Sequence, residues 1–188
     1  MAEILEQAAE SKGGQGKLIK IGDTVVVSQA KAEGLHWDTS GNFVTLSGRG
    51  NGKDVVLTVS AHPGGPSAPL GAVLKTNSYI RLVSPRHPAP NGDLIAFRSG
   101  PDGDKVRIGN FERPDPVIDN VFFVAKISGS QGPEIRRGDH FKIRGVSRDP
   151  WVTYPDGAVA GTALSLDEDM AKAKEWVFGR FGDDGDDD

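Results

Sequence analysis

The chain has 188 residues, no cysteine and a formal charge of −4. It therefore uses no disulfide, thiolate metal site or cysteine nucleophile, and one domain of this length buries enough surface to fold without such staples. The tail aspartates Asp183, Asp184, Asp186, Asp187 and Asp188 account for the negative balance and leave a body near +1, too neutral to attract phosphate backbones, so nucleic acid is not an expected partner.

In chain order, Ala2 to Ser11 read as a short N-terminal helix with Ile4, Leu5 and Ala8 on one face. Gly13 to Gly16 form a flexible link, so residues 1–17 stand outside the main domain. The first residues are acidic and lack the basic and apolar regions of a signal peptide. No apolar run approaches the ~20 residues a membrane span needs. The expected location is cytoplasmic, with export by another route left open.

From Leu18 the period changes to two, as in strands with one buried face. Three stretches repeat one pattern, about 18–62, 70–127 and 133–182. Each opens on a polar turn and a strand: Gly22-Asp23 into Thr24–Val27, Asn77-Ser78 into Tyr79–Leu82, Gly138-Asp139 into His140–Ile143. A second strand follows around Trp37, Phe97 or Tyr154, and then a third around Leu46, Val106 or Leu164. An apolar fourth strand closes each stretch, at Val55–Val59, Val121–Val124 and Trp176–Phe181. The outer copies share their spacing, with ten residues from Val25 to Leu35 and from Phe141 to Trp151. The middle copy is expanded by Pro-rich loops at 85–90 and 113–116. Residues 183–188 are expected to form a disordered acidic tail. A four-strand unit cannot cover its own apolar face, so three must share a core. The predicted core is Val25, Val27, Val56, Leu57, Val59, Ile80, Leu82, Phe122, Val124, Phe141, Ile143, Trp176 and Phe178.

These turn-and-strand openings, together with the segment from Ala163 to Phe178, resemble the β-trefoil superfamily, and within it the fascin-like and actin-crosslinking-like branch. The resemblance implies an all-β fold of three four-strand repeats, a closed barrel with a hairpin cap. It also implies a recognition role, in lectins, inhibitors or cytoskeletal modules. The Gln-x-Trp triplet of ricin-type galactose binders is absent from all three copies.

Candidate ligand-binding residues come from two hairpins. His36, Trp37, Asp38 and Asn42 combine an aromatic face with acceptors and donors, the set a sugar needs; alternatively, Trp37 is a core aromatic. Trp151, Tyr154 and Asp156 occupy the corresponding hairpin of the third copy, where alternation sets Trp151 and Tyr154 on opposite faces. Arg136, Arg137, His140, Lys142, Arg144 and Arg148 form a basic stripe, read either as an anion patch or as a solvated face. Arg137-Gly138-Asp139 spells an adhesion tripeptide but occupies a repeat turn. The four histidines have no zinc-ligand spacing, no Gly-x-Ser-x-Gly elbow occurs, and no cofactor or metal is expected. The expected function is non-catalytic recognition of carbohydrate. A protein-binding or cytoskeletal-type module and a small enzyme with a pocket at the capped end are the alternatives. Oligomeric state is not legible.

Overall fold

The computed structural model describes residues 16–48, 56–61, 69–87, 91–100, 103–109, 118–146 and 150–179. The expected N-terminal helix and the acidic tail lie outside these residues, and no helix occurs among them. Among the described residues thirteen strands form one sheet. They are β1 (Thr24–Gln29), β2 (His36–Asp38), β3 (Thr45–Ser47), β4 (Val56–Ala61), β5 (Ser78–Val83), β6 (Asp93–Gly100), β7 (Gly103–Gly109), β8 (Ile118–Asp119), β9 (Phe122–Ser128), β10 (His140–Gly145), β11 (Trp151–Thr153), β12 (Ser165–Asp167) and β13 (Trp176–Gly179).

Pairing is antiparallel throughout and runs β3-β2-β1-β4-β5-β9-β10-β11-β12-β7-β6-β8, with β13 bridging β1 and β10. Pairing therefore passes around β1, β4, β5, β9, β10 and β13, but this ring of strands is not a closed barrel. A barrel needs matched tilt and stagger all the way round. Here six residue pairs join β9 to β10 while two join β10 to β13, and the register shifts between His140 and Phe141. The expected β-trefoil is corrected on this point, and the fascin-like, actin-crosslinking-like and lectin-like assignments that rested on it fall with it. The four-strand units are also unequal. The β6–β7 hairpin has strands of eight and seven residues, against three in β2, β3, β11 and β12. Strand β8 adds a thirteenth strand along β6.

Strand alternation builds the core. In β10 Phe141 and Ile143 are buried between half-buried His140, Lys142 and Arg144, as the period-two pattern requires. Of the predicted core residues only Val56 is partly exposed. Ile19, Leu74 and Ile135, outside the predicted core, precede the strand openings and are fully covered. Their backbones close a triangle: the Ile19 amide donates to the Ile135 carbonyl at 2.9 Å, Ile135 to Leu74 at 2.9 Å and Leu74 to Ile19 at 2.8 Å.

The three strand openings share a left-handed turn residue, with φ of +97° at Gly22, +64° at Asn77 and +82° at Gly138. Glycine and asparagine are the residues that enter this region at least cost. That requirement explains why those two types recur at this place in the sequence.

Candidate functional site

The structure separates the two predicted hairpin clusters. In β2, Trp37 is fully buried and points away from half-buried His36 and Asp38. Its ring meets Trp176 edge-on, with centroids 5.0 Å apart. It therefore offers no face to a ligand, and the core alternative accounts for it. His36 Nδ1 and Ser28 Oγ are hydrogen-bonded at 2.6 Å across the β1–β2 pair. Asp38 accepts the Ser40 amide at 2.7 Å, a local turn bond. Asn42 is exposed, and its carbonyl accepts the Ile108 amide at 3.0 Å. The four residues do not converge on one space.

The third-copy hairpin does form a cleft. Trp151 is only 7% exposed, but Tyr154 and Asp156 line an open depression of about 440 Å³. Its other walls come from Thr153, Ser165 and Asp167 and from Ala171, Lys172 and Lys174 on the segment returning to β13. The register explains the assembly. Thr153 lies opposite Ser165 and Trp151 opposite Asp167, so Thr153, Ser165 and Asp167 project to one face. The returning segment is tied down by the Lys174 amide, which donates to Thr153 Oγ1 at 3.1 Å. Asp167 and Asp169 also accept the amides of Asp169 and Ala171.

Tyr154 is half-buried, and its ring packs edge-on against Trp176 at 5.2 Å. The Trp176 indole in turn donates to the Val152 carbonyl at 3.1 Å. Lys174 Nζ lies 5.9 Å from the Tyr154 ring centroid and donates to Asp156 Oδ1 at 2.5 Å. Burial pushes the Tyr154 phenol above its usual range; nearby Lys174 works against this and Asp156 adds to it. The hydrogen bond and charge of Lys174 hold the Asp156 carboxyl below its usual range. The same pair holds the Lys174 ammonium above its own. At neutral pH the phenol is thus neutral, the carboxylate ionised and the amine charged, each well away from the point of titration. Groups fixed in this way suit hydrogen bonding better than proton transfer, which works best with a pKa near the operating pH.

Tyr154 and Asp156 are among the residues predicted from sequence, whereas Lys172, Lys174, Asp167, Thr153 and Ser165 are not. The signal available for Thr153, Ser165 and Asp167 was alternation along the strand pair. Lys174 left none, because it enters through a segment whose path is set by tertiary contacts.

The remaining candidate residues are structural or partnered. Asp139 of the Arg137-Gly138-Asp139 tripeptide is 3% exposed. It accepts the Ser130 and Arg136 amides and the Ser130 hydroxyl, and pairs with Lys126 at 3.0 Å. Burial alone would raise its pKa, but these donors outweigh it and hold the carboxyl below its usual range. In the basic stripe His140 meets Glu175 at 2.9 Å, and Lys142 donates to the Met170 carbonyl at 2.7 Å. The Arg144 guanidinium lies 4.5 Å from the Phe123 ring centroid. Arg148 is outside the described residues. Among the described residues no three metal-ligating side chains converge, and no helix is long and apolar enough to cross a membrane.

No family model and no curated protein sequence matches this chain. Solved structures do. The SDF2-like protein from Arabidopsis thaliana matches with a TM-score of 0.63 at 12% identity, over 86% of this chain and 94% of that one. A protein O-mannosyltransferase complex from S. cerevisiae, bound to the sugar donor, matches with a TM-score of 0.66 at 10% identity. It covers 92% of this chain, which spans only 27% of the yeast chain. The soybean Kunitz trypsin inhibitor matches with a TM-score of 0.57 at 13% identity, over 87% of this chain and 94% of that one. Identities this low establish a shared all-β fold and nothing about activity.

Proposed function

We propose that this protein is a non-catalytic recognition module that binds carbohydrate at the Tyr154–Asp156–Lys174 cleft. One observation carries the reading: a half-buried aromatic ring stands beside the Lys174–Asp156 ion pair and four further polar side chains, Thr153, Ser165, Asp167 and Lys172, around one open depression. A sugar presents C–H faces to a ring and hydroxyls that both donate and accept. Tyr154 supplies the ring, Asp156 and Asp167 accept, Lys174 donates, and Thr153 and Ser165 do either. The neighbours in fold differ too much in their roles to favour this reading over another. The absence of cysteine suits a reducing compartment, and the cytoplasm is the proposed location.

The test is a glycan array probed with wild type, Tyr154→Ala and Asp156→Ala. Selective binding that both substitutions abolish supports the reading. Silence across the array, or binding that ignores both substitutions, overturns it.

A second reading, as a protein-binding module, has its own support in Leu70 and Val159, which are 84% and 66% exposed on turns. It predicts that Leu70→Ser or Val159→Ser weakens capture of a protein partner while glycan binding is unaffected.

A further inference from the structure

A row of side chains leads away from the cleft across the outer face of the sheet. Asp167 of β12, a wall of the cleft, lies opposite Trp151 of β11. Trp151 lies opposite Arg144 of β10, Arg144 opposite Phe123 of β9, and Phe123 opposite Tyr79 of β5. Directly opposed residues project from the same face of a sheet, so these five form one line. Their contacts agree: the Tyr79 and Phe123 rings are 5.5 Å apart, and the Arg144 guanidinium is 4.5 Å from Phe123 and 5.8 Å from Trp151. With strands ~4.8 Å apart, the line runs ~19 Å.

Sheet stabilisation alone explains the inner members, because cross-strand aromatic and cation–aromatic pairs strengthen a ladder. It accounts for the Tyr79–Phe123 contact but not for the exposure of Tyr79. That ring is held in place by Phe123 yet remains 49% exposed at the far end of the row.

We infer that the row is a second contact strip, and that the ligand of the cleft is a linear, neutral oligosaccharide. This inference rests on the carbohydrate reading of the cleft. One sugar unit occupies the cleft, and later units stack on the flat Arg144 guanidinium and on Tyr79. Trp151, nearly buried, supports Arg144 from beneath. The ligand is neutral because the row sets Arg144 beside Asp167, while at the cleft Lys174 is paired with Asp156 and Lys172 with Asp169.

The experiment is calorimetric titration with linear mannose-, glucose- and N-acetylglucosamine-based oligosaccharides of one to six units. The proteins are wild type, Tyr79→Ala, Tyr79→Phe and Tyr154→Ala. Wild-type affinity is expected to rise about tenfold between the monosaccharide and the tetrasaccharide, the scale of one stacking contact. Tyr79→Ala flattens that rise without changing monosaccharide affinity, and Tyr79→Phe restores it. A purely structural ladder would not make affinity depend on ligand length. Length-independent wild-type binding, or a rise that survives Tyr79→Ala, overturns the inference. In either case, monosaccharide binding that Tyr154→Ala abolishes leaves the cleft reading standing. If no member of the series binds, both fall.

Discussion

Trp37 meets Trp176 edge-on, with ring planes at 85°, and neither ring has exposed surface. Trp176 also packs edge-on with Tyr154, so the buried pair sets where the cleft's aromatic ring sits. Trp37→Ala is expected to cost about 3–5 kcal/mol of stability, the range for emptying a large aromatic site. Trp37→Phe should cost much less, because the Trp37 indole N–H has no hydrogen-bond partner among the described residues. Equilibrium denaturation of the two variants measures both. If Trp37→Ala unfolded no more easily than wild type, the burial of Trp37 would be refuted.

The charges around Tyr154 can be read through its phenol. Burial raises its pKa, Asp156 reinforces the shift and Lys174 opposes it. Asp156→Asn should therefore lower the pKa of this tyrosine relative to wild type, and Lys174→Met should raise it. Alkaline absorbance titration in a Tyr79→Phe background isolates the signal. Shifts of opposite sign are expected; equal shifts in one direction would contradict the described placement of the pair.

Asp139 makes the fold sensitive to acid. Its carboxyl is held below the ordinary carboxylate range, so the folded state releases this proton more readily than the unfolded chain does. The resulting stability is present above the unfolded pKa near 4 and is lost as pH falls through the folded value. Asp139→Asn should reduce stability at pH 7 by about 3 kcal/mol, since it breaks a buried ion pair from one side. It should reduce the pH dependence of stability below pH 4. Chemical denaturation as a function of pH checks both, and an unchanged acid limb would rule out this role for Asp139.

The left-handed openings give a third stability test. A Cβ added at Gly138 meets open space, so Gly138→Ala should cost only the backbone term, about 1–2 kcal/mol. Asn77→Gly relieves a positive φ on a residue with a side chain, and should be nearly neutral once the added freedom of the unfolded chain is counted. A loss at Gly138 well above this range would show that the site is crowded.

Strand positions were legible wherever one face is buried and the period is two, as in β1, β5 and β10. The turn residues Gly22, Asn77 and Gly138 were legible because few residue types adopt their backbone shape. What escaped was long-range. Ile19, Leu74 and Ile135 lie in short extended pieces with too few residues to show a period. The pairing that joins β7 to β12 and the unequal register around the ring leave no trace in local pattern. Trp beside His and Asp reads as a site, but Trp37 also takes the strand-two aromatic position that Phe97 and Tyr154 take in the other copies, and the core alternative drawn from that equivalence matches its burial. Lys174 reaches Asp156 across 18 residues, a distance at which composition carries no information.

The triangle of amides among Ile19, Leu74 and Ile135 makes the chain's three thirds hostage to one another. Each gives a hydrogen bond to one neighbour and takes one from the other, across more than fifty residues of sequence at every step. No single third can bury these groups on its own, so cutting the chain between the second and third should leave two fragments that fold only when mixed. The same mutual dependence places folding among the slow, non-local topologies, in milliseconds to seconds rather than microseconds. The native state would then be held as much by the difficulty of releasing all three segments at once as by any one contact.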